Sequence, residues 1–201
     1  MRYYGVAGEK IAVIPTGVNL NVFKPVRDAE TLRRARERYK LPERYFMTIG
    51  PYIPPRRANA ETALRAFAEL CRTGQDNGCH WVLAGSRGPA LERLLEIASE
   101  LGLRERIVTP GYLALEAMAA VYSQALAVVH ATSVEGFGFG MEVLACGAPF
   151  ITSNLPGVLE AVGDAALTVP PEEIPPLREA LREILTAPGL RHELSEKGLA
   201  R

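Results

Sequence analysis

Two carboxylates, Glu135 and Glu142, bracket the three glycines Gly136, Gly138 and Gly140 in the stretch SVEGFGFGMEVLACGAP. A glycine-rich turn before a helix brings backbone N–H groups and the positive end of the helix dipole to a phosphate without β-carbons in the way. Here those amides would belong to Phe137, Gly138 and Phe139. Glu135, ahead of the helix, is placed to accept hydrogen bonds from sugar hydroxyls. Glu142, in the first helical turn, is equally well explained by its favourable interaction with the dipole. The third glycine falls too early for the dinucleotide fingerprint, and glycines also serve plain turns. It is the combination of acids and glycines that points to a ligand with hydroxyls at its ends and phosphates in its middle. A second pair of groups, Arg56 and Arg57 in IPPRRAN, lies where an apolar run gives way to a helical one. Adjacent arginines in a proline loop are often only surface charges. Guanidinium groups at such a place also suit bidentate contact with a diphosphate, stabilising charge on a leaving group.

The elements that must position these groups are short β-rich runs alternating with longer amphipathic ones. Strands are expected at Ile11–Pro15, Tyr45–Gly50, Trp81–Gly85, 106–111, Leu126–His130, Pro149–Ser153 and 165–169. Helices are expected at Ala29–Lys40, 59–72, 89–102, 113–125, 140–147, 172–187 and 189–201, with Pro175 and Pro176 delaying the start of the 172–187 helix. Gly102 is a helix stop signal. Such alternation implies βαβ units and a mostly parallel sheet of about six strands, a three-layer α/β/α, Rossmann-like, doubly wound domain. Sheets of this kind bind ligands beyond the carboxyl ends of their strands. Four segments fall there: GPYIPPRRAN, GSRGP, PGYL and ATSVEGFGFG.

Bulk composition narrows the function. The 201 residues suit one domain, 48% of them are hydrophobic, and the 23 basic residues balance the 23 acidic ones. That neutrality argues against a bulk electrostatic grip on nucleic acid. No segment approaches the ~20 apolar residues of a membrane span, and the polar start is no signal peptide. Cys71, Cys79 and Cys146 lack metal-ligand spacing, and an odd count without an export signal suggests reduced thiols in a cytoplasmic setting. His130 ends a strand and reads first as a satisfied core histidine. His80 and His192 have no partners that suggest a metal or triad, Asp164 reads as a turn residue, and Glu160 is ambiguous. There is no G-x-S-x-G, H-E-x-x-H or D-x-D motif.

Five ordered segments, EKIAVIPTGVNLNVFKP, IGPYIPPRRANAETALRAF, WVLAGSRGPALERLLEIASELGLRERIVTPGYL, VEGFGFGMEVLACGAPFITSN and LEAVGDAALTV, resemble the C-terminal, donor-binding half of family 4 glycosyltransferases. These are retaining enzymes of the GT-B fold that use nucleotide-diphosphate sugars. The resemblance implies that Glu135 holds hydroxyls of the donor sugar and Glu142 the ribose diol. Amides around Phe137, Gly138 and Phe139 would meet the phosphates, and Arg56 or Arg57 would grip the diphosphate. The base would lie near Val108, Gly111 and Tyr112, held by backbone contacts. It further implies no cofactor and no metal, with UDP-, GDP- or ADP-linked sugar as the substrate.

Three departures from the family pattern stand out. Six residues rather than the usual seven separate Glu135 from Glu142, Pro51 and Tyr52 stand where an arginine often follows the strand glycine, and RRAN replaces arginine-lysine-asparagine. Residues 1–201 read as a single donor-binding domain whose acceptor-binding N-terminal partner domain is absent. Such a fragment is expected to bind donor without transferring sugar. A parent enzyme acting on a lipid acceptor is expected at the inner face of the membrane. The same fold also serves sugar-nucleotide epimerases and phosphorylases, or a non-catalytic scaffold marked by the shortened spacing.

Overall fold

The computed structural model describes residues 5, 7–12, 14, 17–50, 59–134 and 139–201. Six strands form one sheet: β1 Tyr45–Ile49, β2 His80–Ala84, β3 Ile107–Gly111, β4 Ala127–His130, β5 Phe150–Ser153 and β6 Leu167–Val169. Their order is β3-β2-β1-β4-β5-β6, and every pairing is parallel. The order reverses between β1 and β4. There the chain, having wound outward from β1 to β3, returns to the middle and winds the other way, opening a crevice at the carboxyl ends of those two strands.

Side chains of each strand alternate between two cores, as the two-residue period of a pleated strand demands. Phe46, Trp81, Leu83, Ala127 and Val129 face one layer, with helices α2 (Ala60–Arg72), α3 (Pro89–Glu100) and α7 (Ile174–Thr186) against them. Tyr45, Met47, Val82, Ala84 and Val128 face the other. That second layer holds α1 (Ala29–Tyr39), α4 (Leu115–Gln124), α5 (Phe139–Ala145) and α6 (Pro156–Val162). The last helix, α8 (Pro188–Ala200), adds Leu194 to the first core. In that core Phe46, Phe67 and Trp81 have ring centroids 5.3–6.3 Å apart, and the Trp81 indole N–H donates to Thr48 Oγ1 at 3.2 Å. Burial of this kind, rather than local propensity, fixes the sheet.

The architecture is the expected one, with particular differences. The sheet is wholly parallel. The strand expected at Ile11–Pro15 does not form among its described residues: Ile11, Ala12 and Ile14 carry no ladder, and Ile14 is 86% exposed. An apolar run becomes a strand only where a neighbour offers it hydrogen bonds and cover, and here the six-stranded sheet does neither. Helix α6 lies between β5 and β6, where the sequence pattern gives no helix, its seven residues being too few to show a period. Pro175 and Pro176 delay α7 by two residues at most. It starts at Ile174 and takes both prolines into its first turn, where their missing N–H groups have no intrahelical partner to lose. Gly102 does end α3, at φ 74°, with the Leu103 N–H donating back to Ala98 O at 2.7 Å.

Candidate functional site

The two segments in which the sequence concentrates its chemistry follow β1 and β4 along the chain. One connects Ile49 to α2 and contains Arg56 and Arg57; the other connects His130 to α5 and contains Glu135, Phe137 and Gly138. Those five residues lie outside the described residues, and of Phe139 only the backbone is described, as the first residue of α5. The structure does describe what holds both segments at their roots.

On the β4 side, buried Thr152 of β5 donates its hydroxyl to His130 O at 3.0 Å, and buried Ser153 donates to Thr132 O at 2.5 Å. Thr132 in turn donates its hydroxyl to Val134 O at 2.7 Å and accepts from Val134 N–H at 3.0 Å, closing a tight turn just before Glu135. The chain therefore leaves β4 from a fixed point. Side-chain hydroxyls replace the ladder bonds that end with the strand.

On the β1 side the root is Asn59. It precedes α2 in the left-handed region at φ 44°, its Oδ1 accepts from the Thr62 hydroxyl at 2.9 Å, and it is buried. Its Nδ2 has no partner among the described residues. A buried amide donor left open, on a residue held in an uncommon backbone conformation, is a feature that concentrates at ligand sites. Sequence reasoning passed over Asn59, although its place two residues beyond the arginine pair was the available signal.

Glu142 is the described member of the acidic pair. It sits in the first turn of α5, half-buried, its carboxylate making no hydrogen bond or ion pair among the described residues. Burial pushes its carboxyl above the ordinary carboxylate range. A residue kept only for the helix dipole would gain by being solvated. This one bears a desolvation cost that no side-chain partner among the described residues offsets. The glycine just before it has a structural task. A β-carbon on Gly140 would lie 2.8 Å from Cε1 of the buried Phe150 ring, so glycine there lets α5 approach β5.

The base-side residues separate. A cavity of about 410 Å³ opens over the ends of β1, β2 and β3, lined by Gly50, Gly85, Ser86, Arg87, Tyr112 and apolar neighbours. Tyr112 stands at its rim, 76% exposed. Gly111, at φ 81°, makes the turn that presents Tyr112, while its carbonyl accepts from Gly85 N–H at 2.9 Å. Val108 is paired with Val82 inside the sheet and packs against the second core, away from the cavity lining. Ser86 and Arg87, in the GSRGP segment, are lining residues beyond those first singled out.

Other candidates take structural places. Asp164 pairs with Lys197 of α8 at 3.0 Å, which holds its carboxyl below the ordinary range. His192 faces Glu196 on the exposed side of α8. His130 is half-buried at the end of β4. The three thiols are free, and burial pushes those of Cys79 and Cys146 up to about 12. Among the described residues no cluster of histidine, cysteine and acids could hold a metal ion, and no helix is long and apolar enough to cross a membrane.

A doubly wound, Rossmann-like, wholly parallel sheet defines the class: an α/β domain of the GT-B fold. Residues 33–201 match the family described as Glycosyl transferases group 1, and the chain belongs to that family. It is 32% identical over 199 residues to the GDP-mannose-dependent alpha-(1-6)-phosphatidylinositol monomannoside mannosyltransferase of Mycolicibacterium smegmatis, covering 93% of this chain and 50% of that protein. Among solved structures it resembles sucrose-phosphate synthase from Thermosynechococcus elongatus, with 29% identity, a TM-score of 0.77, and coverage of 93% of this chain and 46% of that one. The C-terminal domain of a glycosyl transferase group 1 family protein (LpcC) from Francisella tularensis shares the fold at a TM-score of 0.71 and 20% identity, with coverage of 92% and 95%. The chain spans from a quarter to half the length of the curated relatives it matches.

Proposed function

We propose that the chain is the donor-binding half of a retaining, family 4 glycosyltransferase that moves a hexosyl group from a nucleotide-diphosphate sugar to an acceptor. The observation that carries the reading is Glu142, a half-buried acid with no partner among the described residues, standing beside the crevice where the strand order reverses. A ribose diol donates two hydrogen bonds and would satisfy such a carboxylate. The dependence of the mycobacterial relative on GDP-mannose, as its name states, supports a nucleotide sugar as the substrate class.

In this reading Glu135 orients the donor sugar through its hydroxyls, and Arg56 and Arg57 with the amides of Phe137, Gly138 and Phe139 stabilise the charge that develops on the departing diphosphate. Tyr112 and the backbone about Val108 and Gly111 hold the base. Cationic side chains and amides do the work that a metal ion does elsewhere, so donor binding is expected to survive chelation. The acceptor site belongs to a second domain, which accounts for the chain spanning half of the mycobacterial relative. This half alone binds donor and leaves it untransferred. Lipid acceptors would bring the whole enzyme to the cytoplasmic face of a membrane.

Calorimetric titration with UDP-, GDP- and ADP-sugars tests the proposal. Binding of at least one of them, weakened in Glu142→Gln, lost in Arg56→Ala with Arg57→Ala, and unchanged by chelator, is the expected result. Absence of binding to all three rejects it. Retention is tested on the complete enzyme by the anomeric configuration of its product.

A further inference from the structure

Among the described residues, Arg87 is the one cation that lines the 410 Å³ cavity at the ends of β1, β2 and β3. It is exposed, on the loop between β2 and α3, with no hydrogen bond or ion pair among the described residues. The inference rests on the reading that a nucleoside diphosphate lies with its phosphates over the β1/β4 crevice. Neighbouring strands are about 4.8 Å apart, so β2 lies roughly 10 Å from β4 and β3 farther still. That is the reach of a nucleoside measured from its phosphate. A diphosphate at the crevice thus delivers its base, not its charge, to the cavity that Arg87 borders. Apart from Arg87 and Ser86 the described lining is glycine backbone, the Tyr112 ring and aliphatic side chains such as Leu91 and Met118, a surface for a flat ring.

We infer that Arg87 selects the nucleobase, favouring one that presents a ring carbonyl at its edge, guanine or uracil, over adenine. A guanidinium has only donors and never deprotonates. Guanine offers it the O6 and N7 acceptors side by side, and uracil offers O4, as thymine does. Adenine sets its N6 amino donor beside N7, so the fork meets one acceptor and one opposing donor. Ser86, whose hydroxyl both donates and accepts, makes no such distinction.

UDP, GDP and ADP titrated into the chain and into Arg87→Ala and Arg87→Met test this. Because Arg87 is exposed, both variants are expected to keep the parent melting temperature, which is checked first. The expected result is that the tighter of GDP and UDP exceeds ADP by about tenfold or more in the parent. In both variants the preference falls to within a few-fold while ADP binding holds. ADP binding tightest in the parent overturns the inference. So does an equal loss for all three nucleotides in the variants, which would mark a phosphate contact, or a preference that survives both substitutions. Those outcomes leave the donor site standing; no binding of any nucleotide to the parent removes the donor site and the inference together.

Discussion

Glu142 gives the sharpest expectations at the scale of single residues. Its carboxyl is raised by burial, so the native state binds its proton more tightly than the unfolded chain does. The penalty for the charge is absent at pH below the ordinary carboxylate value. It grows as pH rises from there through the raised native value, and is full above it. Glu142→Gln should therefore raise the melting temperature at neutral pH, raise it less as pH drops through that window, and weaken nucleotide binding throughout. Thermal melts at several pH values beside calorimetry check both halves; a destabilised variant at neutral pH contradicts the assignment. Tyr112→Ala should weaken UDP, GDP and ADP to a similar degree, by about 1–3 kcal/mol, since stacking is indifferent to the base. Residue types and order single out the acidic pair and the arginines in the sequence as candidates. The sequence marked the GSRGP segment but neither Arg87 within it nor the open amide of Asn59, because only the fold lines a cavity with the one and buries the other.

Helices and strands carry a different set of consequences. Gly140 was first of interest as part of a phosphate turn, yet it also governs how closely α5 lies on β5. Gly140→Ala should cost about 1–3 kcal/mol, because the added carbon would press on the buried Phe150 ring and something must shift. Urea denaturation measures this, and an unchanged midpoint would mean that α5 can lift. Elements with a full period and clear stops, such as α2 and α3, were readable at once, as were β1, β2 and β4 with their apolar runs. Misreadings fall where periodicity has nothing to work on. At Ile11–Ile14 an apolar run finds no edge, and at α6 seven residues make a helix through packing of Val158 and Val162. Pairing and burial decide such cases, and both are properties of the whole chain.

At the scale of the molecule, two apolar layers share one sheet, and Trp81 stands at the middle of the first. Trp81→Ala should cost about 3–5 kcal/mol and unfold as a single transition, because Phe46, Phe67 and Thr48 all lose a neighbour at once. Alternation of strand and helix announced the layered class from the sequence, but the strand order was not there to read, since it depends on where β4 inserts. That insertion has a mechanical consequence. The β1/β2 ladder is registered over Tyr45–Ile49, whereas β1 meets β4 only at Phe46–Ala127 and Met47–Val128, with Leu126 N–H to Tyr45 O beside them. The halves of the sheet on either side of the strand-order reversal thus meet along a seam of two registered pairs. A molecule bound astride that seam acts as a staple, and its arrival should slow amide exchange along β1 and β4 more than at the outer strands β3 and β6.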